Sequence, residues 1–478
     1  MLTRSAENLL SRWFGRRRRK PLVVRGARQV GKSTLVREFA AHSGLVLNEV
    51  NLERHLALEE VFNSLDVAAI MRELEVLSGK PIRAKRSLLF LDEIQAIPRA
   101  VQALRYIYEE MPQLPVIAAG SLLEFALADH SFPMPVGRIH YLHLDPMSFR
   151  EFLTALDPEL NSHLSKLDPS KPFPVSAHER LQDRQRQFMF VGGMPEAVHA
   201  CTETGSLQDI SDVHRSITET YLDDFSKYAR KKELALLQRV FRFIPRNLGR
   251  KVKYTNFSRE DRAKDVRDAI SLLTKARVCH PVHHTSSSGL PLLAEISENN
   301  YKLIFLDIGL VNHVCGNDWL GIRGSGAREL INEGGLAEQF IGQHLIHQWD
   351  EFGPPRLTYW LREGRSTNAE VDYVWSRGDW IVPVEVKAGK SGSLRSLLQF
   401  VLHKKPKITV RFDLNPASLQ RVSHTTRTGQ GTRRVTYTLL SLPLYAVEEL
   451  PRLIDDFRAG RINGNNSQPN PRKKKARA

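Results

Sequence analysis

"PLVVRGARQVGKSTL", from Pro21 to Leu35, constrains this chain more than any other stretch. Leu22 to Val24 is the short apolar run that a buried strand needs. Gly26 to Ser33 then reads G-x-x-x-x-G-K-S, and a helical pattern follows. Strand, glycine loop and helix in that order make a phosphate cradle. The glycines let main-chain amides turn toward an anion at a helix N-terminus, where the peptide dipoles favour negative charge. Gly26, Ala27, Arg28, Gln29, Val30 and Gly31 would form the loop. Lys32 would reach the β- and γ-phosphates, Ser33 would hold Mg2+, and Thr34 would lie beside the nucleotide. The expected cofactors are therefore ATP and Mg2+.

Such a site also needs an acid at the end of another buried strand. "SLLFLDE" supplies it. Leu88 to Leu91 is uninterruptedly apolar, as a strand covered on both faces requires. Asp92 would bind Mg2+ through water, and Glu93 would polarise the attacking water. A third run, "LPVIAAGS", ends at Ser121, a polar residue placed between the other two strand ends to sense the γ-phosphate. Alternating strands and helices over residues 1–150 predict an α/β domain with a parallel sheet.

The 478 residues exceed what one core holds, since single cores stop growing near ~250–300 residues. A net charge of +16 favours an anionic partner, DNA ahead of a membrane. Basic runs stand at Arg16–Lys20 and in the closing "PRKKKARA". No run of 18 apolar residues predicts a membrane span. The N-terminus lacks the charge order and cleavage site of a signal peptide. Three scattered cysteines, Cys201, Cys279 and Cys315, fit a reducing cytoplasm.

After the first domain, residues 151–230 read as a mostly helical lid region, broken by a Pro/Ser-rich loop at Leu167–Glu179. Residues 231–325 read as helix, turn, helix and two strands, Val278–His284 and Lys302–Phe305, which is the order of a winged helix. DNA contact and protein docking are both open for it. Residues 326–450 form a further α/β unit, and residues 451–478 a basic tail, disordered from about Gly460.

Within the fourth segment, "EVDYVWSRGDWIVPVEVKAGK" reads as two strands around a turn at Ser376–Asp379. Glu385 and Lys387 are two apart and project to one face; Asp372 lies on the partner strand. Glu338 shares an arc of the preceding helix with Ile341, Leu345 and Trp349, and an acid on an apolar face is costly without a purpose. Three acids and a lysine converging beside a sheet would bind Mg2+ through Asp372 and Glu385 and activate water for phosphodiester cleavage.

Seven elements come in the order of a known group: basic helix, P-loop, "DE" strand, polar sensor strand, "GR" before a strand, "LDPMSFREF" and "GGMPEAV". The chain resembles the AAA+ superfamily, in its bacterial and archaeal branch with the "GARQVGKST" loop. That resemblance implies a subunit-edge arginine, here Arg138, acting either as a finger in trans in a homo-oligomer or as a strand-holding salt bridge. The helix acid, hairpin and "SLLQF" helix resemble the PD-(D/E)xK nucleases, which implies catalytic roles for Glu338, Asp372, Glu385 and Lys387. The fold expected is thus α/β: a P-loop NTPase sheet with helical lid, a winged helix, and a restriction-endonuclease-like domain. The expected function is ATP hydrolysis coupled to action on DNA. The alternative is a nucleotide-gated scaffold with an idle nuclease-like domain.

Overall fold

A computed structural model describes residues 2–120, 137–227, 231–257, 261–316, 334–347, 356–362, 368–389, 393–428 and 431–463. Ser121 and the closing basic run lie outside these described residues.

Five strands build the amino-terminal sheet: β1 (Leu22–Arg25), β2 (Val46–Asn51), β3 (Ser87–Asp92), β4 (Val116–Gly120) and β5 (His140–His143). Their order is β2-β3-β4-β1-β5, and every pairing is parallel. Helices on both faces explain the apolar runs. Leu22 and Val24 pack with Leu35, Val36 and Phe39, whereas Val23 packs with Ile70, Leu104 and Ile107. Leu88 and Phe90 likewise face one cluster and Leu89 and Leu91 the other. The period-2 geometry of a strand splits each run between two cores.

Eight strands build the second sheet: β6 (Cys279–Thr285), β7 (Ile296–Phe305), β8 (Leu357–Arg362), β9 (Ala369–Arg377), β10 (Trp380–Val386), β11 (Thr409–Asp413), β12 (Ser418–Thr428) and β13 (Gly431–Pro443). Their order is β12-β13-β11-β10-β9-β8-β6-β7. This corrects the expected division at residue 325. β6 and β7 pair with each other as a wing would, but β6 also pairs in parallel with β8 at Val282–Leu357. The two strands assigned to a winged helix are therefore part of the carboxy-terminal sheet. Backbone groups on an open strand edge seek partners, and β8 supplies them.

Other boundaries also move. The loop expected at Leu167–Glu179 ends at Pro174, and the helix Val175–Val191 follows. The hairpin turn is only Gly378 and Asp379, with Gly378 at φ 58°, because a two-residue loop matches strand twist when φ is positive. Residues 451–458, assigned to the tail, belong to the helix Leu450–Arg458, whose Leu453 and Ile454 are buried.

The two sheets share one core. Phe149, Phe188 and Phe340 meet edge to face with centroids 5.7–6.0 Å apart. Phe149 opens the helix Phe149–Leu156, which Ser148 and Glu151 close with a reciprocal capping box. Phe340 lies on the helix Gly334–Ile346. The "LDPMSFREF" stretch is thus where the halves meet.

Candidate functional site

Gly31, at φ 89°, turns the glycine loop into the helix Lys32–His42. Gly26 has no room for a side chain: a Cβ there would stand 2.2 Å from the Leu144 carbonyl oxygen. The loop's carbonyls are held by protein donors. Arg4 Nη1 donates to Val30 O at 2.8 Å, Tyr221 Oη to Arg28 O at 2.8 Å, and Lys32 Nζ to Ala27 O at 2.8 Å and Gly26 O at 3.2 Å. Arg4 and Tyr221 thus fix the loop's carbonyls, and a loop held this way can offer its amides to an anion. Gln29, at φ 63°, lies between these anchors. The Arg28 guanidinium pairs with Asp224. Thr34 is exposed on the first helical turn.

Ser33 Oγ donates to Asp92 Oδ2 at 2.9 Å. β4 lies between β1 and β3, so the three strand ends are adjacent as expected. Burial lowers the Lys32 ammonium to about 8, against the carboxylates of Glu93 and Asp92. Burial also raises the Asp92 carboxyl, while the Ser33 bond opposes that. Glu93, at φ 50°, accepts from Gln95 Nε2. A hydroxyl beside a buried strand-end carboxylate fits the ligand chemistry of Mg2+. Arg138 Nε lies 3.1 Å from Glu109 Oε1 of the same chain, on the helix Pro98–Glu110.

The carboxy-terminal residues also come together, around a group the sequence reading missed. Lys302 on β7 is 3% exposed; its Nζ lies 3.2 Å from Glu338 Oε2 and pairs with Glu370. Lys387 Nζ donates to Glu385 Oε1 at 2.5 Å, and Val386 N to Asp372 Oδ2 at 2.7 Å. Burial, then Asp372, raises Glu338 to about 8 and Glu385 to about 7. Burial raises Asp372 as well, against the charge of Lys302. Burial alone would lower Lys302, but Glu338, Asp372 and Glu370 hold it above the usual lysine range. Among the described residues, no three His, Cys, Asp or Glu side chains form a group able to hold a metal ion. Asp372 and Glu385, the pair expected to hold Mg2+, are instead engaged by Val386 N and Lys387 Nζ.

Residues 18–153 match the model of the AAA domain. The amino-terminal region is an AAA-type P-loop ATPase domain. Residues 182–321 match a domain of unknown function, DUF8612, and residues 333–430 another, DUF4143. β6–β7 falls in the first and β8–β12 in the second, so one sheet crosses both matches. No curated protein matches the chain. No helix among the described residues is long and apolar enough to cross a membrane.

The AAA domain is wired to the rest through Arg4 and the "LDPMSFREF" stretch. Arg4 reaches from Val30 O to Asp145 O at 2.7 Å and Glu151 Oε2 at 3.1 Å. Asp145 Oδ1 pairs with Arg277 Nη2 at 2.7 Å. Phe149 N donates to His344 Nε2 at 2.9 Å, while His344 Nδ1 donates to Phe340 O at 2.6 Å. Lys302 did leave a signal: it interrupts the otherwise apolar "YKLIF", and a charge inside a buried strand needs a partner.

Proposed function

We propose that this chain is an ATP-binding, Mg2+-dependent ATPase whose carboxy-terminal half grips DNA without cutting it. The nucleotide reading is carried by the Ser33–Asp92 hydrogen bond beside a buried lysine on the glycine loop. The triphosphate would rest on loop amides, with Lys32 exchanging the Gly26 and Ala27 carbonyls for the β- and γ-phosphates. Ser33 and Asp92 would hold Mg2+, whose charge neutralises the phosphates. Glu93, released from Gln95, would orient the attacking water.

The net charge of +16 and the β12–β13 ribbon support the DNA reading. This edge ribbon carries four arginines and no acid; Arg421, Arg433 and Arg434 are exposed. A two-stranded ribbon has the width of a major groove. A nucleotide-driven shift would travel through the Arg4–Asp145–Arg277 and Phe149–His344 contacts.

Anisotropy of a labelled duplex tests this at about 50 and 200 mM salt, with and without ATP and Mg2+. Wild type should lose affinity steeply with salt and respond to ATP. Lys32→Ala should keep the DNA affinity and lose both nucleotide binding and the response. No duplex binding at low salt would remove the DNA reading, leave the ATPase reading standing, and favour a protein-docking scaffold.

A further inference from the structure

Four carboxyl groups and two ammonium groups line the carboxy-terminal cluster: Glu338, Glu370, Asp372 and Glu385 with Lys302 and Lys387. If all were ionised, the cluster would carry a net charge of −2. Holding that charge in a largely buried cluster is costly. Either one divalent ion or two protons would cancel it, so charge alone does not choose.

Geometry does. A divalent ion bound by protein oxygens needs several of them at ~2.0–2.6 Å around one point. Here two of the acids turn to the Lys302 ammonium instead, while Asp372 accepts from Val386 N and Glu385 from Lys387. The Lys302 ammonium contacts Glu338 and Glu370, and its field reaches Asp372. The backbone of Lys302 is fixed on both sides, opposite Val282 in β6 and bridged to Lys251. Its ammonium stands 5.2 Å from the centre of the Tyr359 ring, so ring and acids enclose it. Glu338 is held in turn: Tyr373 Oη donates to its carbonyl at 2.8 Å, and Gly249 presses on its carboxylate so closely that a Cβ would lie 3.0 Å from Oε1. Glu338 and Glu370 cannot both turn to a metal at Asp372 while they hold the ammonium.

We infer that Lys302 is the resident cation of this cluster, standing where a divalent ion would otherwise be held, and that the site takes no metal while that lysine is present. The inference is independent of the nucleotide and DNA readings. One observation pulls the other way and makes the test sharp. Glu385 Oε2 is buried without a hydrogen-bond partner. An oxygen in that state will ligate a cation once one is admitted.

Mn2+ binding, followed by electron paramagnetic resonance at pH 8, decides the matter. Nucleotide-free protein carrying Asp92→Asn keeps the amino-terminal site silent. In that background the protein should show no Mn2+ site that a further Asp372→Asn removes. Adding Lys302→Met should create one, at least tenfold tighter than any residual binding, and Asp372→Asn should abolish it again. An Asp372-dependent Mn2+ site in protein that retains Lys302 would overturn the inference. So would folded Lys302→Met protein that gains no site. If Lys302→Met does not fold by circular dichroism, the comparison with Lys302 in place still decides: a site lost in Asp372→Asn refutes, and none supports.

Discussion

Asp307 takes hydrogen bonds from four donors. Gly309 N and Leu310 N reach Oδ1, and Gly193 N and Gln343 Nε2 reach Oδ2. It caps the helix Ile308–Cys315 and at the same time holds the "GGMPEAV" turn. This accounts for Gly192, and the Met147 carbonyl accounts for Gly193. A Cβ on Gly192, at φ 72°, would stand 2.1 Å from Asp307 Oδ1, and one on Gly193 would stand 2.0 Å from Met147 O. Truncating Asp307 leaves buried amides unsatisfied, at ~1–3 kcal/mol each before relaxation. Asp307→Ala should therefore lower the unfolding free energy by about 3 kcal/mol in urea titration. A change under about 0.5 kcal/mol would show that the turn does not depend on it.

At the scale of elements, the β12–β13 ribbon makes the clearest prediction. Each arginine that meets a phosphate steepens the salt dependence of duplex binding by ~0.9 in log–log slope. Arg421→Ser, Arg433→Ser and Arg434→Ser together should flatten that slope by up to about 2.7 and leave ATP binding unchanged. An unchanged slope would place the DNA contacts elsewhere. The β9–β10 hairpin was largely legible because alternation alone assigns faces: Glu385 and Lys387 do meet. Its chemistry was not legible, because the deciding charge comes from Lys302, 68 residues before Glu370 in the chain by their numbers.

At the scale of the molecule, buried titratable groups crowd the sheets and their junction. Burial lowers His143 to about 4 and His280 and His344 to about 3, and lowers His347 as well. These groups contribute stability above pH 6.5 that is lost as pH falls toward their folded values. Burial raises Glu338 to about 8 and Glu385 and Glu448 to about 7. Their contribution is full below the unfolded value of 4.5 and is lost as pH rises through 7 to 8. Falling pH should thus stabilise the chain through about 8 to 7, where these carboxyls protonate, and destabilise it below about 6.5, where these four histidines, with His140, His214, His283, His313 and His403 lowered likewise by burial, resist protonation. Urea midpoints from pH 8.5 to 5 check this. Glu448→Gln should reduce the upper limb and His344→Gln the lower one; a monotonic profile in wild type would refute the balance.

Sequence alone specified the nucleotide loop, the carboxylate strand and the parallel character of the first sheet. Those depend on local rules: glycine where φ is positive, unbroken apolar runs where both faces are covered, and a fixed spacing between lysine and hydroxyl. Tertiary structure decided the rest. Strand-edge pairing between β6 and β8 merged two expected domains, and hydrogen bonds 195 residues apart, Phe149 to His344, joined the halves. A lysine from a distant strand meets the acidic cluster. Each is a contact between residues far apart in the chain, and neither spacing nor composition encodes which surfaces will meet.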